Sequence, residues 1–337
     1  MRAVQLVSES GYSGLRLITD YDPGRPGEGQ VLVKLEAAGV TPLEHYTATG
    51  GLAVSPRLPV VLGAEGAGVV AESGDPEWVE GERVAFTGPY GIMRDGSWAE
   101  AAVVDAAHLA RVPEDVPLPT AAAVPVAYLT AYLALQQARF SPGKTVLAPG
   151  AGGSVGNATY QLARAMGAAR VITSAGSAEK AEAARAAGMA DVIDLSVDDL
   201  AATARKLTDG SGVDVVIDAL GGSITSSCLG ALGMGARAIV IGYSAGRESK
   251  IRLTDLIWTS STVRGFNLFT FAPEAVAEAY EAIFSLLERG EIAPVIDRVQ
   301  PLEDAAAGLR HLIEDRPFGK VVLSINGEQL ASGRAGH

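Results

Sequence analysis

The chain has 337 residues, 48% of them hydrophobic and 20% charged, which is ample for two cores of ordinary size. A formal net charge of −12 argues against nucleic acid or an anionic membrane surface as a partner, because both call for a basic face. A single cysteine, Cys228, permits no disulfide within the chain and suits a reducing cytoplasm, while neither a secretory leader in MRAVQLVSES nor an apolar run of membrane-spanning length is visible.

Strands are expected first, at Arg2–Val7, Leu15–Ile18 and Gln30–Ala38, with GRPGEG (24–29) as a turn cluster. Leu58–Val70 reads as a buried strand broken by small residues. Gly81–Thr87 and Ser97–Val104 complete a β-rich domain with a curled, barrel-like sheet. Pro119–Ala138 has a helical pattern, with Pro125 as a kink or a start. From Thr145 strands and helices alternate. Strands fall at Val146–Ala148, Val171–Thr173, Val192–Asp194, Val213–Ala219, Ala236–Gly242 and Val263–Asn267. Helices are expected at Ala178–Ala187, Val197–Thr208 and Ser223–Leu232. That alternation predicts a parallel, doubly wound sheet in an α/β chain. Pro273–Arg289 and Leu302–Ile313 read as helices, and Gly319–Ile325 as a strand returning to the first domain. The expected organisation is therefore one domain from residues 1–122 and 270–337, with 123–269 inserted as the second. Gly333–His337 is expected to fray.

The most informative stretch runs from Thr145 to Lys180. The strand at Val146 leads into glycines at 150, 152, 153 and 156, and then into a helix with Val155, Ala158, Leu162, Ala163 and Met166 on one face. Such a unit binds a dinucleotide pyrophosphate. Glycines let the backbone approach, and the helix N-terminus offers N–H groups and its positive dipole end. The strict G-x-G-x-x-G spacing would begin at Ala151, so the loop alone could be a tight turn; the flanking strand and helix are what give it meaning. Gly152, Gly153, Ser154, Val155 and Gly156 are the expected pyrophosphate contacts. An NAD site places an acid at the end of the second strand to hold the ribose hydroxyls. Here Thr173–Ser177 contains none, and Lys180 follows. Ser174, Ser177 and Lys180 suit a 2′-phosphate, so NADP(H) is favoured over NAD(H).

Taken together, VLVKLEAAGV (31–40), PVVLGAEGAGVV (59–70), GERVAF (81–86), AAAVPVAYLTAYLAL (121–135), the AGGSVG loop, VDVVIDALGG (213–222) and GKVVL (319–323) resemble the medium-chain dehydrogenase/reductase superfamily over nearly the full length. Within it, the chain is most similar to the zinc-independent quinone oxidoreductase and enoyl reductase branch. The resemblance implies a GroES-like β-rich catalytic domain and a Rossmann domain. Zinc-dependent members carry Cys where this chain has Thr41, and His where it has Ala64; the structural zinc lobe needs four cysteines. No metal site is therefore expected. His45, His108 and His311 lie far apart in sequence, as ordinary surface or core histidines do.

Hydride donation to a quinone or conjugated carbonyl then needs orientation and a hydrogen-bond donor where negative charge develops. The resemblance nominates Tyr46, and Thr41 in place of an asparagine, as catalytic candidates. It also places Thr130 on the nicotinamide side, Gly242, Tyr243 and Ser244 in the loop lining the ring, and Lys320 near the cofactor. The tyrosine that many relatives hold after the third strand is replaced by Asp194-Leu195-Ser196. A substrate lining drawn from Gly51–Arg57, Pro89–Trp98 and Tyr243–Phe271 suits a flat, apolar, conjugated molecule. Val263–Asn267 is the expected edge for pairing with a second copy in a homodimer. A non-catalytic NADPH-binding protein, a dedicated biosynthetic enoyl reductase and a metal-dependent alcohol dehydrogenase are the competing readings.

Overall fold

In the first unit, the eleven-residue strand Gln30–Val40 organises the sheet. Val31, Val33, Leu35 and Val40 are buried on it. One of its edges pairs antiparallel with Glu65–Ser73. The other is shared end to end by Ala101–Asp105 and Lys320–Ser324. Arg83–Thr87 and Leu109–Arg111 extend one side, and Ile296–Pro301 the other, giving seven strands. A separate three-stranded sheet joins Ala3–Leu6 to Leu15–Ile18 and Val60–Val61. Leu6, Leu35, Leu62, Phe86, Trp98 and Leu323 lie in the core between these elements. This computed structural model describes Met1–Asn326, so the fraying expected at Gly333–His337 lies outside the described residues. The first unit comprises Met1–Val126, Pro273–Phe284 and the described residues from Ile296 onward; the second comprises Ala127–Ala272 and Ser285–Val295.

Several boundaries differ from the sequence expectation for local reasons. The run Leu58–Val70 is two strands, because Gly63 turns the chain at φ +103 and a Cβ there would sit 2.4 Å from Ser97 Oγ. The helix expected at Pro119–Ala138 is two helices, Leu118–Ala122 and Pro125–Gln137, since Pro125 lacks the N–H to continue the first and opens the second. Pro42–Ala48 is a helix that hydrophobic periodicity did not reveal. Its signal is the capping box Thr41-Pro42-Leu43-Glu44. Toward the end, Leu302–Asp304 is a 3₁₀ turn, Ala305–Arg310 an α-helix, and His311–Asp315 a wider π turn closed by Arg316 at φ +50. The strand Ile296–Pro301, parallel to Lys320–Ser324, was also unanticipated.

The second unit is a six-stranded parallel sheet in the order Asp191–Asp194, Arg170–Ala175, Thr145–Pro149, Val213–Asp218, Leu232–Val240 and Thr262–Gly265. Helices Ser154–Ala165, Ala178–Ala186, Leu200–Leu207 and Gly222–Gly230 fill the connections. The fifth strand starts at Leu232, which pairs with Val213, so the preceding helix stops at Gly230. Leu147, Ile172, Ile193, Val216 and Leu232 lie in the core. Strand order reverses between Thr145–Pro149 and Val213–Asp218, and the carboxyl ends of strands at such a reversal are where ligands bind in this architecture. Among the described residues no helix is long and apolar enough to cross a membrane.

Candidate functional site

At the reversal, the loop after Thr145–Pro149 turns on Gly150, at φ +87. Its Gly150 and Ala151 N–H groups donate to the Ser174 carbonyl at 3.1 and 2.8 Å, which ties the loop to the second strand. The helix Ser154–Ala165 then starts from Gly153 with no side-chain cap. The first N–H groups of a helix have no intrahelical acceptors, an arrangement that suits an anion. Gly156 lets the helix sit close on the strand: a Cβ there would lie 2.3 Å from the Gly150 carbonyl oxygen and 2.7 Å from that of Pro149. Across the reversal, Asp218 accepts from the Leu220 and Gly221 N–H groups at 2.9 and 3.0 Å and from the Thr225 hydroxyl, which shapes a second tight turn. Gly242 crosses Ala219 so closely that a Cβ would meet its carbonyl oxygen at 2.1 Å. Tyr243 follows, half-buried, with the Arg247 guanidinium 5.3 Å from its ring centre, and Ser244 is exposed.

The strand Arg170–Ala175 ends in buried Ser174, and Ser177 caps the next helix by accepting the Lys180 N–H at 3.3 Å. Residues 173–177 hold no carboxylate, and Glu179 stands beside Lys180 in the first turn of the helix. Asp194 stands on the neighbouring strand in register with Ala175. It accepts both the N–H and the hydroxyl of Ser196, at 3.0 and 2.6 Å, and these bonds hold its carboxyl below the usual range.

In the first unit, Thr41 caps the helix Pro42–Ala48. Its N–H and hydroxyl both donate to Glu44 Oε2 at 2.7 Å, and its oxygen accepts from the Leu43 N–H. Glu44 Oε1 accepts the Ala64 N–H at 2.9 Å. Burial pushes the Glu44 carboxyl up, opposed by those hydrogen bonds and by the Lys320 charge. Beside it, the buried Lys320 ammonium is ion-paired with Glu65, whose other oxygen accepts the Val126 N–H at 2.6 Å. Tyr46 is half-buried one residue after His45, their rings edge to face at 5.7 Å.

Residues 27–114 match the family described as alcohol dehydrogenase GroES-like domain, and 154–286 that described as zinc-binding dehydrogenase. A quinone oxidoreductase from Lama guanicoe is 32% identical over 331 residues, covering 96% of this chain and 97% of the relative. The chain belongs to the medium-chain dehydrogenase/reductase superfamily, in its quinone oxidoreductase branch. Among solved structures of similar fold, an NAD-dependent alcohol dehydrogenase has a TM-score of 0.87 at 31% identity, covering 96% of this chain and all of that one. A mycobacterial protein complexed with NADPH has a TM-score of 0.86 at 30% identity, with 96% and 100% covered.

For a member of this superfamily, two of the residues named from sequence have other occupations here. Thr41, expected among the catalytic groups, has its proton and one lone pair engaged in the helix cap and is 2% exposed. Lys320, expected beside the cofactor, is 3% exposed with its ammonium on Glu65. Gly152, Gly153, Ser154, Val155, Gly156, Ser174, Ser177 and Lys180 all fall on the loop, helix start and second-strand end of the second unit, and Gly242–Ser244 follow its fifth strand. Thr130 is buried on the helix Pro125–Gln137. Glu44, Glu65 and Asp218 were missed. Their signal was the position of an acid at a cap, inside an apolar strand and at a strand end, where a buried carboxylate must find partners.

Proposed function

We propose that this chain is a zinc-independent, NADPH-dependent oxidoreductase that delivers hydride to a quinone or an α,β-unsaturated carbonyl. The observation that carries the reading is the uncapped helix start at Ser154, beside a second strand and turn in which residues 173–177 hold Ser174 and Ser177 but no carboxylate, with Lys180 following next to Glu179. An anion fits the former, and a 2′-phosphate the latter. The Cβ-free cradle at Gly153 leaves room for close approach, the nearest atom to an added methyl being the Gly150 carbonyl oxygen 3.4 Å away. When bound, the nicotinamide supplies the hydride.

The protein's own residues bind, orient and donate. Gly152–Gly156 hold the pyrophosphate; Ser174, Ser177 and Lys180 hold the 2′-phosphate; Thr130 and Gly242–Ser244 flank the nicotinamide. Tyr46 donates a hydrogen bond where the acceptor oxygen gains charge. Thr41 and Ala64 stand where zinc-dependent relatives place Cys and His. Thr41's hydroxyl is bound to Glu44, and alanine has no lone pair to offer, so this donor set does not fit that metal. The named quinone oxidoreductase relatives support the substrate class. The strand Thr262–Gly265 is exposed throughout, and Met234, Ile257, Trp258 and Val263 are exposed at 74%, 67%, 76% and 40%, which supports a homodimer joined at this edge.

The cofactor assignment is tested by Lys180→Ala. It should raise the Kd for NADPH about tenfold and leave NADH within about twofold, a charge-assisted phosphate contact being worth roughly 1.5–3 kcal/mol. Equal loss for both cofactors would remove Lys180 from the 2′-phosphate site.

A further inference from the structure

We propose that Lys320 is a positioning residue: its ammonium, acting through Glu65, fixes the first turn of the helix Pro125–Gln137, on which Thr130 lies. The helix needs such help. Its first residue is a proline without an N–H, and the residue before it, Val124, has no side-chain acceptor for the next donors. Glu65 supplies the missing cap from a strand instead, accepting the Val126 N–H at 2.6 Å. Thr130 follows Val126 by four residues, about one turn along the same helix.

Glu65 is held rigidly enough to serve. It is 0% exposed, and its own carbonyl accepts the Ser97 hydroxyl. Its carboxylate lies against bare backbone at Gly39, where a Cβ would meet Oε1 at 2.1 Å, and the Gly39 carbonyl is itself bonded to Trp98 Nε1. A carboxylate this deep calls for a counter-charge. Lys320, 3% exposed, provides it. The second buried acid, Glu44, already takes three hydrogen bonds from Thr41 and Ala64 and does not depend on that pairing for partners. Lys320 thus reaches the cofactor's neighbourhood through Glu65 and the helix it caps, not by touching the cofactor. The effect on turnover rests on the functional reading given above; the capping does not.

The test compares Lys320→Met with Lys320→Met combined with Glu65→Gln, in the full chain. The second change keeps an oxygen acceptor for Val126 and removes the uncompensated charge. Two quantities are read: amide hydrogen exchange over residues 125–137, and the Kd for NADPH by fluorescence titration. Lys320→Met should speed exchange of the first-turn amides and weaken NADPH binding, each about tenfold or more, because breaking a buried pair from one side is the costly direction. The double variant should return both to within about threefold of wild type. Should Lys320→Met fail to fold while the double variant folds with wild-type exchange, the positioning role stands. A double variant as impaired in NADPH binding as the single, with first-turn exchange already normal, would make Lys320 a direct cofactor contact and overturn the proposal. Wild-type protein that does not bind NADPH at all would sink the functional reading and leave the exchange data to decide the capping.

Discussion

Two glycines at the start of the helix Ser154–Ala165, Gly153 and Gly156, allow fold and ligand to be separated by the same one-methyl change. At Gly156 a Cβ would stand 2.3 Å from the Gly150 carbonyl oxygen and 2.7 Å from that of Pro149. An unstrained carbon–oxygen contact is about 3.3 Å, so the helix must move off the strand by about 1 Å. Overpacking of this kind costs about 1–3 kcal/mol, which for a unit of this size lowers the melting temperature by roughly 2–12 °C. At Gly153 the backbone sits at φ −81 and the nearest atom to an added Cβ is 3.4 Å away, an ordinary contact. Gly153→Ala should therefore cost at most about 1 kcal/mol, the difference between glycine and alanine at a helix cap. The same methyl projects where a pyrophosphate would settle against the helix start. NADPH should bind about 10–100-fold more weakly, or roughly 1.4–2.8 kcal/mol. Thermal melts and NADPH fluorescence titrations of both variants distinguish the effects. Gly153→Ala binding NADPH as tightly as wild type would refute the placement of the pyrophosphate, and Gly156→Ala melting with wild type would refute the packing argument.

Tyr46→Phe should lower kcat by roughly 10²-fold with the NADPH Kd unchanged, as loss of a positioned proton or hydrogen-bond donor does; unaltered turnover would make Tyr46 a packing residue. Burial holds the His108 imidazole below its ordinary range, with Nδ1 2.8 Å from the Tyr90 hydroxyl and with Asp105 and Arg94 as the charges facing it. The neutral form is favoured in the fold, so its contribution to stability is present above about pH 6.5 and is lost as pH falls through the depressed native value. His108→Gln should accordingly flatten the decline in melting temperature between pH 7.5 and 5, and a wild-type-minus-variant difference constant across that range would contradict the assignment. Trp258→Glu, at a side chain 76% exposed beside the edge strand, should halve the mass measured by light scattering; wild-type protein of monomer mass would dispose of the edge-paired dimer.

The parallel sheet was legible because its strands are continuous apolar runs punctuated by glycines. Five of its six strands were placed to within a few residues, and the strand–glycine–helix order around the loop was visible too. The helix Pro42–Ala48 escaped notice because seven residues give too little periodicity, although its capping box was present in Thr41 and Glu44. Ile296–Pro301 was hidden by its half-exposed pattern at the sheet edge. What individual side chains do was harder to read. Thr41 and Lys320 occupy positions that invite a direct role, yet the fold turns one into a cap and the other into a counter-ion. No local sequence window shows that, since Glu65 and Lys320 are 255 residues apart and meet only through the pairing of both their strands with Gln30–Val40.

The central claim is NADPH-dependent reduction of a conjugated acceptor. It is tested most directly by following the absorbance of NADPH and of NADH, at matched concentrations, against a panel of quinones, enones and simple aldehydes. NADPH-preferring oxidation is expected with a quinone or an enone, and none with the aldehydes. Turnover that prefers NADH, or that requires added zinc and an alcohol or aldehyde, would contradict it.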